Sequence, residues 1–171
     1  MEKARFRRLS EPLKKAFLRG ETNPYIIVHA IVNPQMYRDT FDPKSPLVQK
    51  LTGVLTRQLI RIRKLAERYH TRVIVCSEPT SVFVSQRDYR FAQGLGFLLD
   101  EKMLQLKNMD ELIKMSSLKA GLPDFVEVTD SFRAKCRQAS LYYLWDEHFN
   151  RAGYRFYAGS ITPYIMEFLN H

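Results

Sequence analysis

Tyr25-Ile26-Ile27-Val28-His29-Ala30-Ile31-Val32 is a compact β-branched run without alternation of apolar and polar residues. Such a run predicts a strand covered on both faces, and Asn33-Pro34 ends it. Arg72-Val73-Ile74-Val75-Cys76 reads the same way and is broken at Pro79. A third strand, Asp124-Phe125-Val126-Glu127-Val128, follows Pro123. Between the first two lies the best helix in the sequence. Ser45 can cap it, Pro46 suits its first turn, and Val48, Leu51, Leu55, Leu59, Ile62, Ala66 and Tyr69 recur at steps of three and four as one apolar stripe. Strand, helix, strand, helix, strand, helix is the pattern of parallel βαβ units, whose buried strands need helices on both sides of the sheet. The fold class expected is α/β.

The rest of the chain fits around this frame. Residues 9–19 read as a short helix capped by Ser10, with Pro12 in its first turn and Gly20 as its stop. Residues 82–98 read as a loop with some helix, around Gly94 and Gly96. Asp100–Lys107 and Met109–Ala120 read as helices, with Gly121 just past the second. Asp130 and Ser131 open a short helix. The last helix runs from about Asn150 to Leu169, with Tyr157, Ile161, Tyr164, Ile165 and Phe168 turned inward and a bend at Pro163.

Length and composition bound the class. The 171 residues suit one domain with a real core, and 45% hydrophobic residues argue against disorder. No apolar run is long enough to span a bilayer, and no secretory signal follows the charged first residues, so the chain as given is expected in the cytoplasm. An upstream start would allow export or a periplasmic location. Cys76 and Cys136 stand apart and read as plain thiols, and no His/Cys/Asp/Glu spacing suggests a metal or a cofactor.

The net charge is +9. Part of it lies in Lys3, Arg5, Arg7, Arg8, Lys14, Lys15 and Arg19, and part in Arg57, Arg61, Lys64 and Arg68 at helical spacing. Neither group carries the interleaved aromatics and glycines of single-strand binders. Solvated surfaces are expected rather than a nucleic-acid site.

In open parallel sheets, ligands bind at the carboxyl ends of the strands, which here singles out Asn33, Ser77-Glu78 and Thr129-Asp130. A stronger signal is Trp145-Asp146-Glu147-His148-Phe149-Asn150-Arg151-Ala152-Gly153-Tyr154. Residues two apart can point the same way, so the Asp146 carboxylate can hold one imidazole nitrogen of His148 and leave the other free as a base. A plain capping loop is the other reading of the same spacing.

The stretch from Trp145 to Ala158 resembles the last block of the SGNH/GDSL hydrolases: Asp-x-His, then Asn, a Gly three residues later, and an apolar helix. The short Asp-x-His spacing is similar to that of the branch acting on polysaccharide acyl groups. The resemblance implies His148 as general base, Asp146 as its orienting partner, and Asn33 as an oxyanion donor, although Asn33-Pro34 departs from the usual Asn-Asp pair. It implies a flavodoxin-like three-layer sandwich with a mainly parallel sheet lacking its first strands. Residues 24–171 form that single domain, and 1–23 are a basic helical segment. The family's Gly-Asp-Ser nucleophile segment does not occur in these residues, and Ser77 reads as a turn residue.

The function expected is therefore an ester hydrolase or O-acyltransferase in incomplete or split form, inactive alone, with an acyl ester or acylated carbohydrate as substrate. Its partner is an upstream-encoded chain or a second copy, because the strand at 25–32 would be left with an open edge. The alternative is a non-catalytic basic binding or scaffold module derived from the same fold.

Overall fold

The computed structural model describes residues 7, 11–20, 22–144 and 146–170. Ser10 and Trp145 lie outside the described residues. The helices are α1 (Glu11–Leu18), α2 (Pro24–Val32), α3 (Met36–Phe41), α4 (Pro46–Arg68), α5 (Ser81–Val84), α6 (Gln86–Leu95), α7 (Asn108–Lys119), α8 (Thr129–Cys136) and α9 (Arg151–Leu169). A 3-10 turn spans Glu101–Leu104, and the strands are β1 (Val75–Cys76) and β2 (Phe125–Val126). Helix makes up 64% of the described residues and strand 4%, so the expected three-layer α/β sandwich with a mainly parallel sheet is corrected to a helical fold around one pair of strands. Among the described residues, no helix is long and apolar enough to cross a membrane.

The correction begins at 25–32, which is helix α2. The Asn23 side chain accepts from the Tyr25 N–H at 3.0 Å, and Pro24 occupies the first turn, where its missing N–H is harmless. A helix pairs its own backbone groups, whereas a strand needs a neighbour to do so. Only Ile26 and Ile27 of α2 are fully buried, while Tyr25, Val28 and Val32 are exposed. The open edge expected at 25–32 therefore does not exist. The other strands shorten to two residues each. Over 82–98, expected as a loop with some helix, most residues lie in α5 and α6, and Asp100–Lys107, expected as helix, contains only the 3-10 turn.

The strands pair in parallel, Val75 beside Phe125 and Cys76 beside Val126. Alternation along 73–76 then assigns the faces. Val73 and Val75 pack with Leu55, Leu59, Ala120 and Leu122, from α4 and the end of α7. Ile74 and Cys76 pack with Phe132, Phe149, Phe156 and Tyr157, from α8, α9 and the loop before α9. A separate core joins α2, α3, α5 and α6 through Ile27, Tyr37, Phe83, Tyr89 and Phe97, with Met103 of the 3-10 turn fully buried in it.

The long helices also differ from their sequence reading. On α4 the single stripe is split: Val48 and Leu59 are buried, but Leu51, Ile62 and Tyr69 are exposed. On α9, Tyr164 is half out in solvent rather than inward. Helix α9 continues through Pro163.

Candidate acid–base site

The carboxyl-terminal loop owes its shape to a few short-range bonds. Tyr142 and Phe149 form an antiparallel bridge, with Tyr143 N–H donating to the His148 carbonyl and Asn150 N–H to the Leu141 carbonyl, both at 2.9 Å. Asn150 then caps α9: its side-chain oxygen accepts from the Gly153 N–H at 2.9 Å. Its amide donates to the carbonyls of Ser140 at 2.9 Å and Tyr142 at 3.3 Å. Gly153 is required by close approach, because a Cβ there would lie 2.0 Å from the Leu141 carbonyl oxygen. The Tyr142 hydroxyl donates to the Pro79 carbonyl at 2.7 Å. This bond fastens the loop to the segment that leaves the carboxyl end of β1.

Asp146, Glu147 and His148 sit at the tip. Glu147 adopts a left-handed backbone, φ 56°, which is uncommon for a residue with a side chain. The turn carries His148 back over Asp146: the His148 N–H reaches the Asp146 carbonyl at 2.6 Å. The Tyr37 hydroxyl of α3 donates to the Glu147 carboxylate. Burial pushes the Glu147 carboxyl above its usual range, and the bond from Tyr37 opposes that shift. Burial likewise drives the Tyr37 phenol upward, reinforced by the charge and hydrogen bond of Glu147. Tyr37 thus remains a donor, and the otherwise costly Glu147 conformation is held by a partner 110 residues away.

His148 Nδ1 lies 2.9 Å from Asp146 Oδ1 and 3.0 Å from the Asp146 carbonyl oxygen. Both neighbours accept only, so in the neutral ring Nδ1 carries the proton and Nε2 keeps its lone pair. The hydrogen bond from the Asp146 side chain, then its charge, raises the His148 pKa above the ordinary imidazole value. The ring is exposed, with 66% of its side-chain surface open, against 34% for Asp146. An imidazole held in this way can take a proton from an approaching hydroxyl and return it to a leaving group.

The remaining expected residues are elsewhere. Asn33 caps the end of α2 through its backbone, and none of its described contacts reaches the His148 loop. Ser77 is buried behind β1, its hydroxyl facing Asp110 but without a partner at hydrogen-bonding geometry. Ser81 lines a narrow cleft of about 10 Å³ together with Asp146, Glu147, Tyr37 and Asp88, but is itself only 2% exposed. Tyr37 and Glu147 carry no sequence signal as supports, since nothing local links them. Gly153 was visible only as part of a motif.

A second polar group lies beyond the strand ends, where Asp110 and Lys107 join the Ser77, Thr129 and Asp130 singled out from the sequence. Asp110 is buried in the first turn of α7, and burial raises its carboxyl pKa, with the hydroxyls of Thr129 and Ser77 opposing the shift. Lys107 bridges Glu127 at 2.8 Å and Asp130 at 2.9 Å. Among the described residues, no three His, Cys, Asp or Glu side chains converge as a metal-ligand set. No protein-family model, curated protein or solved structure matches this chain.

Proposed function

We propose that the His148 loop is the acid–base half of a serine-type acyl-transfer site. The chain would serve an SGNH-like ester hydrolase or O-acyltransferase acting on acyl esters, acylated carbohydrates among them, with the attacking serine contributed from outside these 171 residues. The observation that carries this reading is the 2.9 Å bond between His148 Nδ1 and Asp146 Oδ1, which leaves Nε2 as a free base on an exposed ring. A serine hydroxyl brought to Nε2 gives up its proton as its oxygen bonds to the acyl carbon. The same proton then passes to the departing alkoxide as the ester bond breaks. Asp146 stabilises the imidazolium formed between these steps. Asn33 has no part in the proposal, because it makes no described contact with the loop.

The test combines this chain with the polypeptide encoded immediately upstream and follows hydrolysis of a short-chain aryl ester. Hydrolysis is expected only from the combination, falling by roughly a thousandfold or more for His148→Ala. A combination that forms a complex yet leaves the ester intact, or one indifferent to His148→Ala, removes the reading.

A further inference from the structure

Helix α4 carries an apolar row that stays exposed among the described residues. Leu47, Leu51, Val54, Ile62, Leu65 and Tyr69 are between 37% and 65% exposed. With Gln58 between Val54 and Ile62, their spacing of three and four confines them to roughly a quarter of the helix circumference. The neighbouring sector holds Lys50, Arg57, Arg61, Lys64 and Arg68, all exposed. Among the described residues, none of these five pairs with a carboxylate. The only acid on α4, Glu67, is taken by Arg63 at 2.6 Å. The packed side of the helix is distinct: Val48, Leu55 and Leu59 face inward, and Arg63 lies over Gly121 just past α7.

We propose that this face docks a second polypeptide, which lays along α4 a helix with an apolar row bordered by carboxylates. Contiguous exposed apolar side chains on this scale mark interaction surfaces. A straight row about 33 Å long, at 1.5 Å per residue from Leu47 to Tyr69, matches a helix in a groove. The charge pattern selects the occupant. A second copy packed antiparallel would set the row of five cations against itself, which like-charge repulsion penalises. An in-plane membrane helix frees its whole apolar face, with cations on the opposite polar face, whereas here one flank of the row is the body of the protein. A partner with carboxylates on one border satisfies both sectors, whereas a second α4 in either direction brings none, its one acid Glu67 being paired with Arg63. This surface is independent of the acyl-transfer reading.

The experiment titrates the full chain, labelled for amide NMR, with two synthetic helix-forming peptides of equal apolar row, one bordered by Glu and one by Lys. Vesicles of phosphatidylserine and phosphatidylcholine form a third arm. The Glu peptide is expected to shift the signals of α4 and bind at least tenfold more tightly than the Lys peptide. Leu51→Ser with Leu65→Ser should abolish binding, and Arg57→Glu with Arg61→Glu should reverse the preference. These positions are exposed; should the serine variant fail to fold, the charge reversal decides alone. Equal affinity for the two peptides, no shifts in α4, shifts produced by vesicles alone, or shifts in α4 on simple concentration of the free chain would each overturn the proposal.

Discussion

The loop from Tyr142 to Gly153 and helix α2 are both short segments, yet they are fixed by different means. In the loop, a backbone bridge, the Asn150 cap and a glycine pressed against the Leu141 carbonyl act within a few residues of one another. In α2 a single cap at Asn23 starts a run of residues that are poor helix formers, and the two buried isoleucines do the rest. Local closure sets the backbone of the loop, and Tyr37 and the Pro79 carbonyl then anchor it to the rest of the fold. Segments held by apolar burial take whichever backbone form lets them pair and pack.

That contrast breaks first at Gly153. Alanine in the first turn of a helix is normally favoured over glycine by up to about 1 kcal/mol. Here its Cβ would fall 2.0 Å from a backbone oxygen, so the bridge or the helix start must move. Gly153→Ala is expected to destabilise the fold by about 3 kcal/mol, read from the urea midpoint, with the His148 loop signals displaced. An unchanged midpoint would mean the loop is looser than its bonds suggest.

A smaller effect is expected at the other region. Asn23→Ala removes the acceptor for the Tyr25 N–H and should cost about 1 kcal/mol. Hydrogen exchange should quicken through α2 while the amides of 141–153 keep their protection. Equal loosening of both regions would show that the two are one cooperative unit rather than two differently built ones.

These two sites also explain what could be read from the sequence. Ser45 and Asn150 were legible as caps because a cap is a local event: Ser45 accepts from the Val48 N–H at 3.1 Å, and Asn150 from Gly153. The pairing of Asp146 with His148 was legible for the same reason, since both ends lie within one turn. Tyr25–Val32 was misread because a β-branched run has no period to separate a buried strand from a buried helix. The helix start at Asn23-Pro24 is local too, but the strand reading of 25–32 leaves it out. The stripe on α4 had the right period. Which part of it is covered depends on where β1 lies beneath the helix, and no local pattern carries that. Tyr37 as the support of Glu147 was invisible, because the contact joins segments 110 residues apart.

The smallest expected effect bears most directly on the chemistry. The His148 pKa is raised chiefly by the hydrogen bond of the Asp146 side chain and then by its charge. Because the folded value lies above the unfolded one, the stabilisation from this pair is complete below the unfolded imidazole pKa. It is lost as pH rises through the folded pKa. A base, in contrast, works only once its proton has left. Any reaction using Nε2 should therefore show an acid limb above about 6.5, the ordinary imidazole value. Asp146→Asn removes the charge and leaves an amide that can still accept from Nδ1. Its His148 titration, followed by NMR, should fall back toward the ordinary value, by less than the full shift because the backbone carbonyl of residue 146 remains at 3.0 Å. Since the ring is two-thirds exposed, solvent screens the charge, and the change in overall stability should be slight. A variant whose imidazole titrates as in the parent would mean that the carboxylate merely lies beside the ring, and the loop would then be a cap without an acid–base partner.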